Sequence, residues 1–90
     1  MAIQERELEK QLKALANRRR LAILKHLKRN SEATVADIAK AITLSFKATS
    51  KHLRMLTAID ILEREQRNVQ MFYRLATAHP SAITHILSLL

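Results

Sequence analysis

The chain has 90 residues, enough for one domain, and 48% of them are hydrophobic. It contains no cysteine, which excludes disulfides and thiolate metal or redox sites, and no glycine, which excludes a glycine-rich phosphate loop. Its formal net charge is +8, and residues 38–59 hold four lysines and arginines but no acidic residue. This uneven distribution of basic and acidic residues along the chain indicates a nucleic acid or an anionic membrane surface as the partner. The alternative is a basic surface that is merely solvated.

The two ends of the chain differ in polarity. The segment MAIQERELEK is too polar for a signal peptide, and no apolar run reaches membrane-spanning length, so we expect a cytoplasmic protein without a membrane partner. The segment ITHILSLL is more apolar than a small core requires. We therefore expect the chain to associate with itself.

Two helices are predicted at the start of the chain. The first covers about residues 4–16, where leucines recur at helical spacing and acidic residues precede basic ones, as the helix dipole favours. Asn17 is a suitable N-cap for a second helix from residue 18 to about 29. The inner face of this second helix is expected to consist of Leu21, Ile23, Leu24 and Leu27.

Two shorter helices follow. Thr34 and Asp37 resemble a capping box, which opens a helix that ends near residue 42. After a tight turn at Thr43, Ser45 caps another helix, with an inner side that includes Thr49, Leu53 and Leu56. Two short helices joined by such a turn form a helix-turn-helix, here about residues 34–58. Its second helix is free to enter a groove of DNA.

After Asp60 the periodicity changes to the alternation that is typical of strands. Two strands around a turn are predicted over about residues 61–75. Without glycine, we expect Asp60 and Asn68 to take the positive φ angles at the helix end and the hairpin tip. Pro80 starts a last helix, about residues 80–90. The predicted fold is therefore mainly α with a small β-hairpin wing, a winged helix-turn-helix in one domain spanning all 90 residues.

Three segments match the sequence pattern of a known family. LKALANRRRLAILKHL has the family's opening pattern, and Arg20 matches an arginine that could bond to carbonyls or phosphate. VADIAKAI followed by LSFKATSKHLRML has the pattern of its helix-turn-helix, with S-x-H-L at Ser50 and His52. ILEREQRNVQMFYRL has the pattern of its wing. Over residues 12–75 the chain thus resembles the ArsR (arsenic-repressor-like) family of winged-helix transcription regulators.

The resemblance implies a homodimer that joins through its first and last helices, about residues 4–16 and 80–90. Such a dimer binds an operator palindrome in double-stranded DNA and usually represses transcription, by occlusion of a promoter. Its two recognition helices would occupy successive major grooves roughly 34 Å apart. The apolar side chains expected at the dimer interface are Leu8, Leu12, Leu15, Ile83, Ile86, Leu87 and Leu90.

The front of the predicted recognition helix carries the residues expected to contact DNA. Lys47, Lys51 and Arg54 are interpreted as major-groove and phosphate contacts, because Lys and Arg suit guanine N7 and O6 and backbone oxygens. A solvated helix face is the alternative interpretation. Ser50 is expected to contact phosphate or a base.

Four further residues are candidates for DNA contact. Phe46 is interpreted either as a contact to a thymine methyl group or as a packing residue. His52 is either a phosphate donor or a histidine packed at the base of the helix and bonded to backbone. Arg64 and Arg67 near the hairpin tip are expected to enter the minor groove or to touch phosphate, with plain solvation as the alternative.

We predict no catalytic group, cofactor or small-molecule substrate, because the sequence offers no cysteine nucleophile and no carboxylate pair in a pocket-forming context. The metal-binding cysteine pair of many ArsR members is absent from the segment SEATVADIA. His79 and His85 could hold zinc only by sharing it across a dimer, so no metal site is predicted, and a metal-responsive repressor is an alternative. Another alternative is a winged-helix module that docks a protein through the same basic face.

Overall fold

The computed structural model describes residues 3–90. Within them the helices and strands follow one another in the order predicted for a winged helix, with one additional short strand. Their bounds are α1 Glu5–Leu15, α2 Arg18–Arg29, β1 Ala33–Thr34, α3 Val35–Ile42, α4 Phe46–Ala58, β2 Leu62–Arg67, β3 Gln70–Leu75 and α5 Ser81–Leu89. The helix-turn-helix consists of α3 and α4, and the wing consists of β2 and β3.

The three predicted N-caps are confirmed. Asn17, Thr34 and Ser45 each have extended backbone, and their side-chain oxygens accept hydrogen bonds from backbone amides two or three residues further along the chain. The donor–acceptor distances lie between 3.0 and 3.2 Å. These bonds satisfy amides that a helix start would otherwise leave without a partner, so the sequence itself fixes where α2, α3 and α4 begin.

Three of the described residues, none of them glycine, have positive φ angles. Asp60 (φ 62°) and Asn68 (φ 57°) were predicted, whereas Thr43 (φ 54°) was predicted only as part of a tight turn. Thr43 ends α3, and its left-handed conformation brings the amide of Leu44 back to the carbonyl of Ala39 at 3.0 Å. A β-branched residue is rarely found in this conformation, so the turn between α3 and α4 is fixed at some cost in backbone strain.

The sheet contains one strand more than the predicted hairpin. Its order is β1-β3-β2, with both pairs antiparallel, and β1 joins it through Ala33 opposite Tyr73 and Thr34 opposite Phe72. Because α3 begins directly after β1, these backbone pairs hold the wing against the start of the helix-turn-helix. A two-residue strand has no periodicity of its own, which is why the sequence did not predict it.

A single apolar core lies beneath the helix-turn-helix and the wing. It receives fully buried side chains from α2, α3, α4, α5 and the residue before β2, namely Ile23, Leu24, Ile38, Leu53, Leu56, Ile61 and Ile83. The inner faces predicted for α2 and α4 are therefore confirmed. Because the inner face of α4 is fixed in the core, its outer face has a fixed direction.

Replacing Thr49 with valine is expected to raise the free energy of unfolding by about 1 kcal/mol. Thr49 is fully buried on α4, and its hydroxyl has no hydrogen-bond partner among the described residues. Valine keeps the β-branched shape and removes the unsatisfied hydroxyl. Urea denaturation measures the change. The matched control is Thr57→Val on the same helix, where the hydroxyl donates to Leu53 O at 2.7 Å and its loss should not stabilise. A destabilised Thr49→Val variant would contradict the assignment.

Candidate nucleic-acid interface

The outer face of α4 carries a cationic stripe, formed by Lys47, Lys51 and Arg54. All three side chains are exposed, and their spacing of four and then three residues places them along one side of the helix. No acidic residue occurs in α4, so nothing on this helix neutralises the stripe. Ser50, which is half-buried, lies beside it. This arrangement presents three exposed cations on a helix whose position is set by the core.

Phe46 is not a packing residue of the core. It is the first residue of α4, and 61% of its surface is exposed. Of the two interpretations of Phe46, the structure therefore favours a surface role. The ring lines a surface cleft together with Val35 and Met71.

His52 is half-buried and contacts Arg20 of α2. Its Nδ1 lies 3.3 Å from Nη1 of Arg20, and a guanidinium can only donate, so Nδ1 accepts and the ring proton lies on Nε2. Burial, together with the positive charges of Arg20, Lys51 and Arg19, lowers the pKa of His52. Of the two interpretations, the packed histidine is the better one, although its partner is an arginine side chain and not backbone. A cationic contact from His52 to phosphate is disfavoured.

The lowered pKa of His52 predicts a pH dependence of stability. As the pH falls below the ordinary value of 6.5, the unfolded chain takes up the proton first, so the native state loses stability. His52→Gln should therefore flatten the fall in the urea midpoint between about pH 7 and about pH 5, above the range in which carboxylates titrate. The control is His85→Gln, at an exposed site on α5. If His52→Gln keeps the wild-type slope, the assignment is wrong.

Arg20 joins the end of α1 to α4. It is buried, and its Nε donates to Ala14 O at 2.5 Å while Nη2 donates to Lys13 O at 3.3 Å. Its Nη1 contacts the sulfur of Met55 at 3.6 Å as well as His52. The carbonyls of Lys13 and Ala14 are among those that a helix end leaves without intrahelical partners. Of the predicted partners, carbonyls and phosphate, the structure selects the carbonyls.

Arg67 is engaged in ion pairs on the outer face of the wing. Both of its terminal nitrogens bond to the carboxylate of Glu32, with Nη2 to Oε1 at 2.8 Å, and Nη2 also bonds to Glu65 at 3.2 Å. Its guanidinium carbon lies 4.5 Å from the centre of the Phe72 ring. Hydrogen bonds with Glu32 and Glu65 raise the pKa of Arg67, and the same bonds lower the pKa of both carboxyls. Arg67 is therefore held by two carboxylates and is not simply solvated, and its contact with the minor groove or with phosphate stays a prediction.

The ion pairs of Arg67 continue across the sheet. Arg74 bonds to Glu63 at 2.8 Å and to Glu65 at 3.0 Å, so Glu65 bridges the two arginines. Glu63, Glu65 and Arg67 share one face of β2, because strand side chains alternate. Arg64 lies on the other face, is exposed, and has no ion pair among the described residues. Among the described arginines of the wing, Arg64 is thus the one without an ion pair, and its contact with DNA stays a prediction.

The residues predicted for the dimer interface fall into two groups. Leu15, Ile83 and Leu87 are buried in the protomer's own core, with 5%, 0% and 9% of their surface exposed, so they support α1 and α5 from inside. The other four leave apolar surface available. These are Leu12, which is 47% exposed, and the half-buried Leu8, Ile86 and Leu90. A groove on α1 of about 360 Å³ is lined by Glu5, Leu8, Glu9, Leu12, Lys13 and Ala16.

The two carboxy-terminal histidines are not part of a preformed ligand set. Nδ1 of His79 lies 3.4 Å from Oγ1 of Thr84, while His85 is exposed. Residues 3–90 contain no group of three or more histidine, cysteine or acidic side chains that could hold a metal ion. In the same part of the chain, no helix combines the length and apolarity needed to cross a membrane.

The family follows from comparison with known proteins. A family model described as bacterial regulatory protein, arsR family, matches residues 17–64, which include the helix-turn-helix and the start of the wing. The chain therefore belongs to the arsR family of bacterial transcription regulators. No curated protein sequence matches it.

Solved structures share the fold along almost the whole chain. Reduced HlyU from Vibrio cholerae is 30% identical with a TM-score of 0.80, and the match covers 94% of this chain and 85% of HlyU. The homodimeric winged helix-turn-helix DNA-binding domain of a possible ArsR-family regulator from Mycobacterium bovis is 28% identical with a TM-score of 0.78, covering 99% and 85%. The transcriptional repressor BigR from Xylella fastidiosa is 26% identical with a TM-score of 0.77, covering 93% and 82%.

Proposed function

We propose that this protein is a homodimeric transcriptional repressor that binds a palindromic operator in double-stranded DNA through α4. The observation that carries the proposal is the cationic stripe, three exposed basic side chains on a helix without an acidic residue. Lysine and arginine bond to guanine edges and to phosphate oxygens, and α4 has the place of a recognition helix. With the chromosome as its partner, the protein is expected in the bacterial cytoplasm.

Two observations support a homodimer. The exposed Leu12 and the half-buried Leu8, Ile86 and Leu90 leave apolar surface on α1 and α5, two helices that contact each other. The similar domain from Mycobacterium bovis is homodimeric. A two-fold axis through this surface relates two α4 helices, and such a dimer binds half-sites about 34 Å apart, which is why the operator is expected to be palindromic.

Two arguments support repression: a protein with the same fold is a repressor, and a bound dimer would block access of polymerase to a promoter. BigR from Xylella fastidiosa, with which the chain shares its fold at 26% identity, is a transcriptional repressor. A dimer with two recognition helices and two flanking wings covers one face of the duplex over more than one helical turn. When this stretch lies within a promoter, a bound dimer excludes polymerase without any further activity.

Leu12→Glu is expected to convert the dimer into monomers. The substitution puts a charge in the centre of the apolar surface of α1, where an unpaired carboxylate would have to be buried. Leu87→Glu is unsuitable, because Leu87 is largely buried within the protomer and its replacement would disturb the fold. Light scattering on the purified variant measures the mass. Val69→Glu is the control, since Val69 is 95% exposed at the wing tip. A Leu12→Glu protein that remains dimeric would place the interface elsewhere.

The experiment that tests the proposed function is selection from a pool of random duplexes at low salt, followed by sequencing of the retained DNA. The proposal predicts enrichment of an inverted repeat with half-site centres about ten base pairs apart, or a multiple of that spacing. If duplexes are retained but no sequence is enriched, the protein binds DNA without sequence specificity. Failure to retain duplex DNA at all would refute the proposal.

A further inference from the structure

An apolar cleft lies between the start of α4 and the wing. Its volume is about 190 Å³, and the apolar side chains that line it are Val35, Ala36, Phe46, Val69 and Met71. Phe46 and Val69 on its rim are 61% and 95% exposed. Phe46 on the rim of the cleft directly precedes Lys47, the first residue of the cationic stripe. The first two residues of α4 are therefore an exposed aromatic side chain and an exposed cation.

The fold does not require an aromatic residue at position 46. Ser45 supplies the N-cap of α4, and the first helical position after it has no need of a large apolar side chain. Phenylalanine is not among the residues that favour helices, and Phe46 is not part of the apolar core. Its position, however, is one from which a recognition helix reaches base edges, since these contacts come from the helix's amino-terminal residues.

We infer that Phe46 selects the operator half-site by packing against the C5 methyl group of a thymine in the major groove. This inference rests on the proposed binding of DNA through α4. The thymine methyl is the apolar group that a base pair presents in the major groove. A phenylalanine ring has no hydrogen-bond donor or acceptor, so it distinguishes thymine by apolar contact alone. The neighbouring Lys47 and Lys51 favour a polyanion over an apolar protein surface as the occupant.

The test compares thymine with uracil, which differs from it only by the methyl group. Each thymine in the duplex selected from the random pool is replaced singly by uracil, and Kd is measured by fluorescence anisotropy. At one thymine in each half-site, uracil is expected to raise the Kd of the wild-type protein about fourfold, the effect of burying one methyl group. In Phe46→Ser this ratio should fall to about one, whereas Phe46→Leu, which keeps an apolar side chain, should retain a ratio above one.

The outcomes separate this inference from the proposed function. If no uracil position affects wild-type binding, or if the effect persists in Phe46→Ser, the assignment of Phe46 is overturned while DNA binding stands. If the protein binds neither the thymine-containing duplex nor any of its uracil variants, the proposed function itself fails. Circular dichroism and the urea midpoint verify that both Phe46 variants are folded, which is expected because the residue is mostly exposed.

Discussion

Arg20→Met is expected to lower the free energy of unfolding by about 3 kcal/mol, a large share of the stability of a small domain. The guanidinium makes two hydrogen bonds to the last carbonyls of α1 and contacts both His52 and Met55 on α4. Methionine fills much of the space but leaves both carbonyls without a partner. Urea denaturation monitored by circular dichroism measures the loss.

Two further variants make this result specific to the contacts of Arg20. Arg18→Met removes the same charge at an exposed position two residues earlier in α2 and should change stability by no more than about 0.5 kcal/mol. Arg20→Lys keeps the charge but lacks the planar fork of donors, so it should recover only part of the loss. Wild-type stability in Arg20→Met would contradict the role assigned to this residue.

Reversing charge on α4, in the double variant Lys51→Glu and Arg54→Glu, is expected to weaken duplex binding by at least about a thousandfold at low salt. In the proposed dimer the change replaces four cations of the proposed DNA-binding face with four anions. The fold should persist, because both side chains are exposed and make no hydrogen bond among the described residues. Fluorescence anisotropy with a labelled duplex measures Kd, and circular dichroism verifies the fold.

The matched control for the charge reversal lies on α2. Lys25→Glu with Arg29→Glu produces the same change in net charge at two exposed positions one helical turn apart. Because electrostatic attraction acts at long range, this control should lose some affinity, but far less than the α4 variant. Equal losses in the two double variants would mean that overall charge, and not the face of α4, determines binding.

Local sequence signals predicted most of the fold. Asn17, Thr34 and Ser45 were predicted as caps because each precedes an apolar helical repeat, and Asp60 and Asn68 were predicted at positive φ because the chain has no glycine. These features depend on interactions within a few residues along the chain. For this reason propensity and spacing are sufficient to locate them.

The features missed by sequence analysis depend on residues far apart in the chain. The bonds from Arg67 to Glu32 and from Arg20 to His52 join positions 35 and 32 residues apart. Nothing local distinguishes a free cation at the wing tip from one held by a distant carboxylate.

The spacing of apolar residues along a helix also predicts the proposed dimer interface only in part. It marks one side of α1 and of α5 as apolar, yet it does not say which residues the protomer itself covers. Leu15 and Ile83 proved to be buried within the protomer, whereas Leu12 is left exposed.

The salt dependence of duplex binding tests the central claim most directly, because it counts the phosphates that the protein neutralises. The three cations of the stripe on each of two subunits predict about six such contacts, so log K should fall with log salt at a slope of about −5. Affinity would then drop about a thousandfold between about 50 mM and about 200 mM salt. A slope near zero, with binding that persists unchanged across this range, would contradict recognition of DNA by the cationic face of α4.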